Sequence, residues 1–414
     1  MSAKYIATVI MILLIFALSG CSNTGSDEVS GTVSKNTPVN NGGAVIQLGG
    51  DTYYVSKNLA YENHRENGAL YRLKNGALYK LSDIGGTALW SDGKLLYVSS
   101  ENVINRFDTV TGEMSIFAEG TINYLQDDTL FYSVNGKIYK RNLNSGEEIT
   151  IASDISKKHV FFEAVIGDKL YYSESSSYSV TVRAYDMKTG KSKEVFTETP
   201  VFFDSEAQII PTVTHLSACG NHLIYAIGNY QGSGNYYFGD MYRIKSDGSG
   251  RELLRVNDED NTNLENDNIF TLDDRIFYSN YSERYGYDGG YYVMKSDMSD
   301  KRKLDTDIYS VIDAIDGFLY YQTRPGDIHR CRSDMTQDSL LVKAADLPNF
   351  RTADDYFRYK PDIIGDTVYF NASVWGYRSE GSWRDKFINS TFNKVGLDGT
   401  EFKTLASISS DFDG

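Results

Sequence analysis

Short apolar and aromatic runs, broken by turn-forming residues, recur along the chain from residue 44 onward. The clearest stretch is residues 166–196, IGDKLYYSESSSYSVTVRAYDMKTGKSKEVF. A Gly-Asp turn leads into Leu170-Tyr171-Tyr172-Ser173. A second run covers Val180 to Tyr185 and ends in Asp186-x-x-Thr189-Gly190. Glu194-Val195-Phe196 closes the unit. Aromatic and β-branched residues in short runs between turn formers predict strands, and long helical patterns are scarce.

The unit returns as DTYYV, GKLLY, DTLFY, DKLYY, NHLIY, DRIFY, GFLYY and DTVYF. Anchoring each string on its last aromatic or apolar residue gives Val55, Tyr97, Tyr132, Tyr172, Tyr225, Tyr278, Tyr321 and Phe370. Their mean spacing of about 45 residues is the period of one propeller blade. Downstream of each anchor comes a strand pair closed by a tight turn. Examples are Met241–Lys245 with Asp247-Gly248, and Arg106-Phe107-Asp108 with Thr111-Gly112. Asp-Gly and Thr-Gly supply the positive φ that such turns need. Because these aspartates recur at one repeat position, they read as turn chemistry rather than as acidic site residues. A further strand precedes each anchor, as at 44–48, 87–90, 122–125 and 215–218. Each repeat thus holds four strands, A to D. The pattern predicts an all-β, eight-bladed β-propeller of four-stranded antiparallel blades over residues 44–406. Seven blades is the alternative, if the first copy is degenerate.

Composition fits this picture. The chain has 32 Tyr and 36 Gly against 6 Pro and 8 Met, which favours half-buried strand faces and tight turns. A net charge of -15 excludes a nucleic-acid partner, which needs clustered Lys and Arg, and disfavours a surface lying flat on anionic lipid. No cofactor is expected. Cys219 and Cys331 fall in different repeats, and free, partly buried thiols are the expectation.

The N-terminus carries targeting information. Lys4 precedes an apolar run over 5–18, too short for a membrane span and suited to a signal peptide. It ends Leu18-Ser19-Gly20-Cys21, which resembles a bacterial lipobox. That resemblance implies removal of residues 1–20, lipidation at Cys21 and residence on the extracytoplasmic face of the cell membrane, with the membrane as partner through the lipid. The alternative is an ordinary secretory signal followed by a chance cysteine. Residues 21–43 are Ser-, Asn-, Thr- and Gly-rich and read as a flexible tether. Residues 407–414 read as a polar tail.

The pattern Leu-Tyr-Tyr-Ser followed by Ile-x-x-x-Asp-Gly-Ser and a later Leu resembles the propeller repeats of low-density-lipoprotein-receptor-related proteins. It looks closer still to a bacterial lipoprotein family of unknown function that shares that likeness. The likeness is strongest in 275–304 and 241–254. The receptor repeats carry Trp-Thr-Asp after the first Tyr, where this chain has Tyr172-Ser173-Glu174 and Tyr278-Ser279-Asn280. The resemblance implies a fold and an extracytoplasmic setting, not a ligand.

Strand alternation puts the A–B and C–D turns on one face and the B–C and D–A connections on the other. The long connections belong to the second class, at 57–67, 228–239, 280–290 and 372–388, and at 197–211, 257–268 and 346–361. Long loops on a rigid scaffold are where binding concentrates. Aromatic and arginine residues in them are the candidate ligand-binding set: Tyr230, Tyr236 and Tyr237; Tyr281, Arg284, Tyr285, Tyr287 and Asp288; Trp375, Tyr377, Arg378, Trp383 and Arg384. Loops that merely pack on one another over the channel are the structural alternative. The acidic run from Asp258 lacks the turn Gly and distal Glu of a calcium loop, and the five His show no metal-ligand spacing. No catalytic residue is assigned. These features predict a non-catalytic binding or scaffold propeller for a glycan or protein. A glycan-processing hydrolase or lyase, with its site at the channel mouth, is the alternative.

Overall fold

The computed structural model describes residues 43–409 apart from 57–58, 62–63, 67, 87, 155–157, 177, 200–209, 231–235, 238–239, 256–262, 282–289, 305–307, 316, 324–325, 349–355 and 378–384. It is an eight-bladed β-propeller. The blades cover 45–82, 89–119, 121–153, 159–198, 210–255, 263–303, 308–342 and 356–409, each an antiparallel meander in the order A-B-C-D. The first copy forms a full blade, so the seven-bladed alternative does not apply. The last strand, Lys403–Ser409, runs past the boundary expected at 406.

The repeat's composition explains the packing. In strand B of blade four, Lys169–Ser175, the residues Leu170 and Tyr172 enter a cluster shared with blade three. Tyr171, between them, enters a cluster shared with blade five. A strand buried on both faces has no polar side to offer, which is why the motif is Leu-Tyr-Tyr rather than an alternation of apolar and polar. Among the described residues the core divides into eight clusters, one at each seam between neighbouring blades. The A strands meet one another around the axis, so the D strands form the outer wall. Tyr79, Ile116, Ile149, Leu253 and Leu340 on those D strands are exposed.

Register corrects two of the anchors. Counting from the A–B turn, the fourth residue of strand B is Tyr132, Tyr172, Tyr225, Tyr278, Tyr321 and Phe370, as the pattern indicates. In blades one and two that position is Tyr54 and Val98, not Val55 and Tyr97. The difference of one residue sends the side chain to the opposite seam.

The repeated turn aspartates behave as expected. Asp108 Oδ1 accepts the N–H groups of Val110 and Thr111, and Asp186 Oδ1 those of Lys188 and Thr189. Asp247, Asp297, Asp334 and Asp398 each accept from the residue two positions on, and Asn142 fills the role in blade three. Hydrogen bonds from these turns hold all six carboxylates below the ordinary aspartate value. Blade one instead turns through Asn75-Gly76, both at positive φ. Cys219 and Cys331 are free and fully buried, and burial pushes both thiols up to about 12.

Each blade is made from one contiguous stretch of chain, so the ring is closed by side chains between blades eight and one rather than by a shared strand. The Ala44 N–H donates to Asp362 Oδ2 at 2.9 Å in a buried bond. The Tyr54 ring stacks on Phe392 with centroids 3.7 Å apart, and its hydroxyl donates to Asn371 Oδ1 at 2.7 Å. On the outer wall, Lys403 Nζ donates to the Gly76 carbonyl at 3.0 Å. Phe392→Ala should therefore cost about 3–5 kcal/mol, as a buried aromatic truncation does. Ile116→Ala, on the exposed outer wall, should stay within about 0.5 kcal/mol. Denaturant midpoints of the two variants check this, and equal midpoints would show that the closure seam carries no special burden.

Candidate functional site

The meander fixes which ends of the strands share a face. All described A–B and C–D connections are short turns, while the B–C and D–A connections lie on the opposite rim. In blades two and three the B–C turns are only Glu101-Asn102 and Asn135-Gly136. In blades one, five, six and eight this rim is built up. Strand B of blade five reaches Tyr230, where Tyr230 pairs with Tyr236 and Asn229 with Tyr237. In blade six Asn263 pairs with Tyr281. In blade eight the B–C ladder continues to Trp375 opposite Phe387 and Tyr377 opposite Asp385. Blade one adds a separate hairpin of Leu59–Tyr61 and His64–Glu66.

Much of what the pattern assigns to loops is thus β-ladder rising above the ring. Gly-, Asn- and Tyr-rich composition hides a period of two, and pairing with a partner strand overrides it. Of the candidate set, Tyr230, Tyr236, Tyr237, Tyr281, Trp375 and Tyr377 lie on these rising strands. Arg284, Tyr285, Tyr287, Asp288, Arg378, Trp383, Arg384 and Cys21 lie outside the described residues.

The structure adds residues that the pattern did not single out, on the innermost strand of blade four, His159–Ile166. Phe162 pairs with Tyr172 and Ala164 with Tyr171, so Glu163 between them is the extra residue of a β-bulge. Its carboxyl meets the Ser173 hydroxyl. Blade three repeats the device: Asn123 is the bulge residue, and its amide donates to the Ser133 hydroxyl. Both serines directly follow the anchor tyrosine. A neutral amide in one blade is replaced by an acid in the next. Burial pushes Glu163 up from 4.5 to about 8, against the smaller lowering effect of Ser173. The Glu163 oxygen accepts from the Ser173 hydroxyl, whereas Ser133 accepts from the amide in blade three, and at neutral pH desolvation holds the carboxyl largely protonated.

His159 and Phe161 precede it at two-residue intervals. Register places them opposite Ser175 and Ser173, on one face of the blade. Phe161 is 45% exposed although it sits on an innermost strand, and Tyr178, in the B–C connection of the same blade, is 70% exposed. The Ser175 hydroxyl is fully buried with no partner among the described residues. In blade five His215 Nε2 lies 2.7 Å from Ser217 Oγ, and burial pushes the imidazole down to about 4, so it stays neutral. The available signal for Glu163 was a lone carboxyl inside the apolar run HVFFEAVI.

On the outer side of the same seam, Arg251 holds Glu198 through two bonds of 2.6 and 2.9 Å and lies over the Tyr242 ring at 4.0 Å. The Tyr225 hydroxyl donates to Glu198 at 2.6 Å. These charges satisfy one another across blades four and five and serve the ring. Among the described residues no three His, Cys, Asp or Glu side chains come together to hold a metal ion.

The fold is shared with proteins of distant sequence. The chain is similar to Porphyromonas gingivalis dipeptidyl peptidase 4, with a TM-score of 0.50 and 11% identity over 93% of this chain and 61% of that one. It is similar to oligopeptidase B from Leishmania major, at 0.48 and 12% over 84% and 54%. It is also similar to oligogalacturonate lyase from Vibrio parahaemolyticus, at 0.42 and 12% over 86% and 98%. These neighbours are β-propeller proteins, and at such identities the likeness is one of fold. The chain spans less than two thirds of either peptidase. No protein-family model matches the sequence, and no curated protein matches it.

The Glu163 environment has a measurable consequence. The unfolded chain releases this proton near the ordinary value of 4.5, whereas the folded protein keeps it until about 8. Stability should therefore fall as pH rises through that window, by at most about 1.4 kcal/mol per pH unit, and level off above it. Glu163→Gln, which keeps a carbonyl oxygen to accept from Ser173 and removes the titration, should gain stability relative to the parent from pH 5 to pH 8. Thermal melts of the pair across that range check this, and a constant difference would refute the buried acid.

Proposed function

We propose that this protein is a membrane-anchored extracytoplasmic lipoprotein whose propeller binds a glycan or protein ligand without catalysis, through the face that carries the B–C and D–A connections. One observation carries the reading: among the described residues, strands rise above the ring on that face alone, at blades one, five, six and eight, while the other face is closed by short turns. Building a rigid ladder under aromatic residues lowers the ordering cost of binding, because the backbone is fixed before the ligand arrives. Tyr and Trp offer apolar area with a polar handle, which suits sugar rings and protein hot spots alike. The Leu-Ser-Gly-Cys sequence ending at Cys21 supports the lipid anchor, and two or more acyl chains make such an anchor stable. On this reading the chain belongs with the bacterial lipoproteins whose propellers resemble those of low-density-lipoprotein-receptor-related proteins.

A glycan-processing hydrolase or lyase is the second reading, favoured by Glu163. A carboxyl still protonated at neutral pH is the form a general acid takes. Among the described residues the causes of its shift are burial and the Ser173 hydroxyl.

Two experiments test these readings. Cys21→Ala should release the protein from membranes into the soluble fraction, and unchanged membrane association would remove the anchor. A pull-down with cell-wall and glycan fractions should retain the parent and lose the Trp375→Ala, Trp383→Ala double variant. Binding unaffected by both changes would reject this face. Appearance of shortened oligosaccharides, abolished by Glu163→Gln, would replace the binding reading with the catalytic one.

A further inference from the structure

The anchor and the fold together constrain how the molecule sits. Strand A of blade one, Val45–Leu48, is an innermost strand, and it runs from the loop-bearing face toward the plain one. The point at which the tether meets the ring is therefore on the loop-bearing face and near the axis. It is also clamped. The Gly43 carbonyl accepts the Leu89 N–H at 2.7 Å, the Ala44 carbonyl accepts the Val55 N–H at 2.9 Å, and the Ala44 N–H is held by buried Asp362. Blades one, two and eight thus fix the direction in which the preceding residues leave.

The length of the tether then decides between orientations. On the lipid-anchor reading, a segment of this Ser- and Gly-rich composition and of roughly 20 residues would have a root-mean-square span of about 25 Å. To turn the plain face toward the anchor, it must first cross a blade of four strands, about 5 Å apart. It must then descend the height of a strand, about 20 Å. That path is about 40 Å and obliges the segment to stay stretched across the loop-bearing face. With the loop-bearing face toward the anchor, no such detour is needed. The net charge of -15 gives the chain as a whole no attraction to anionic headgroups.

We propose that the propeller is held with its loop-bearing face toward the surface of the membrane that carries its anchor, looking onto the headgroup layer across the tether's span. The plain face, with its ring of capped turns, points outward. This rests on the lipid-anchor reading above. It means that a ligand of the loop-bearing face is met in the membrane-proximal layer, within about 25 Å of the bilayer on average.

The test uses the full-length lipidated protein in vesicles. Its described native thiols, Cys219 and Cys331, are buried, and Cys21 is blocked by the lipid, so single introduced cysteines report cleanly. Tyr178→Cys marks the loop-bearing face and Val110→Cys the plain face, both at well-exposed positions. Each is labelled with a maleimide carrying a bulky polyethylene glycol chain. The soluble form, lacking residues 1–20 and carrying Cys21→Ala, is the reference. The expected result is a several-fold slowing on vesicles at Tyr178→Cys, with Val110→Cys little changed. Equal slowing at both positions, or greater slowing at Val110→Cys, overturns the orientation while leaving the anchor intact. Failure of the full-length protein to float with vesicles overturns the anchor itself, and the orientation with it.

Discussion

Every blade of this ring buries both of its faces, and neither face is complete without the blade beside it. The apolar clusters all lie at seams, and each draws on two neighbouring blades. A four-stranded meander alone would expose two apolar sheets to water, so the blades are stable only as a closed set. The eighth seam is where this dependence is sharpest. Elsewhere the chain runs directly from one blade into the next, which keeps neighbours close. Blades eight and one are far apart in sequence and are joined by Tyr54 stacked on Phe392 and by the buried bond from Ala44 to Asp362.

That closure does more than complete the core. By gripping the chain at Gly43 and Ala44, it sets the face on which the residues preceding the ring leave it. Rigidity also passes to the rim. The strands that rise at blades five, six and eight are continuous with strands packed in the seams, so aromatic residues on them stand on fixed backbone. A scaffold of this kind can vary one rim freely, because the packing that holds the ring is finished below it.

Partly buried polar groups follow the same economy. The bulges of blades three and four turn an extra side chain onto the serine after the anchor tyrosine, once with Asn123 and once with Glu163. The serine accepts from the amide in one blade and donates to the acid in the other. Its neighbour across the blade-four face, Ser175, is buried without a partner among the described residues. This end of the blade four–five seam is therefore less settled than the apolar seams around it. The pairing of Arg251 with Glu198 shows the contrasting case, in which charges at a seam are fully answered by each other.

The sequence by itself determined the repeat, the four strands of each copy and the division into a plain and an elaborated face, whereas eight blades rather than seven was decided by the first copy pairing as a full blade. What the sequence determined follows from local physics: turn aspartates and glycines recur at fixed positions, and a strand buried on both faces must be apolar throughout. Local pattern could not decide register. Tyr54 rather than Val55 faces the closing seam because the partner strand begins its pairing at Asp51, and only pairing settles a shift of one residue. Nor could it separate loop from rising ladder at Tyr230, Tyr281 and Trp375, where hydrogen bonds to a distant segment make the strand. The state of Glu163 was likewise out of reach, since its proton is held by desolvation that exists only in the folded protein.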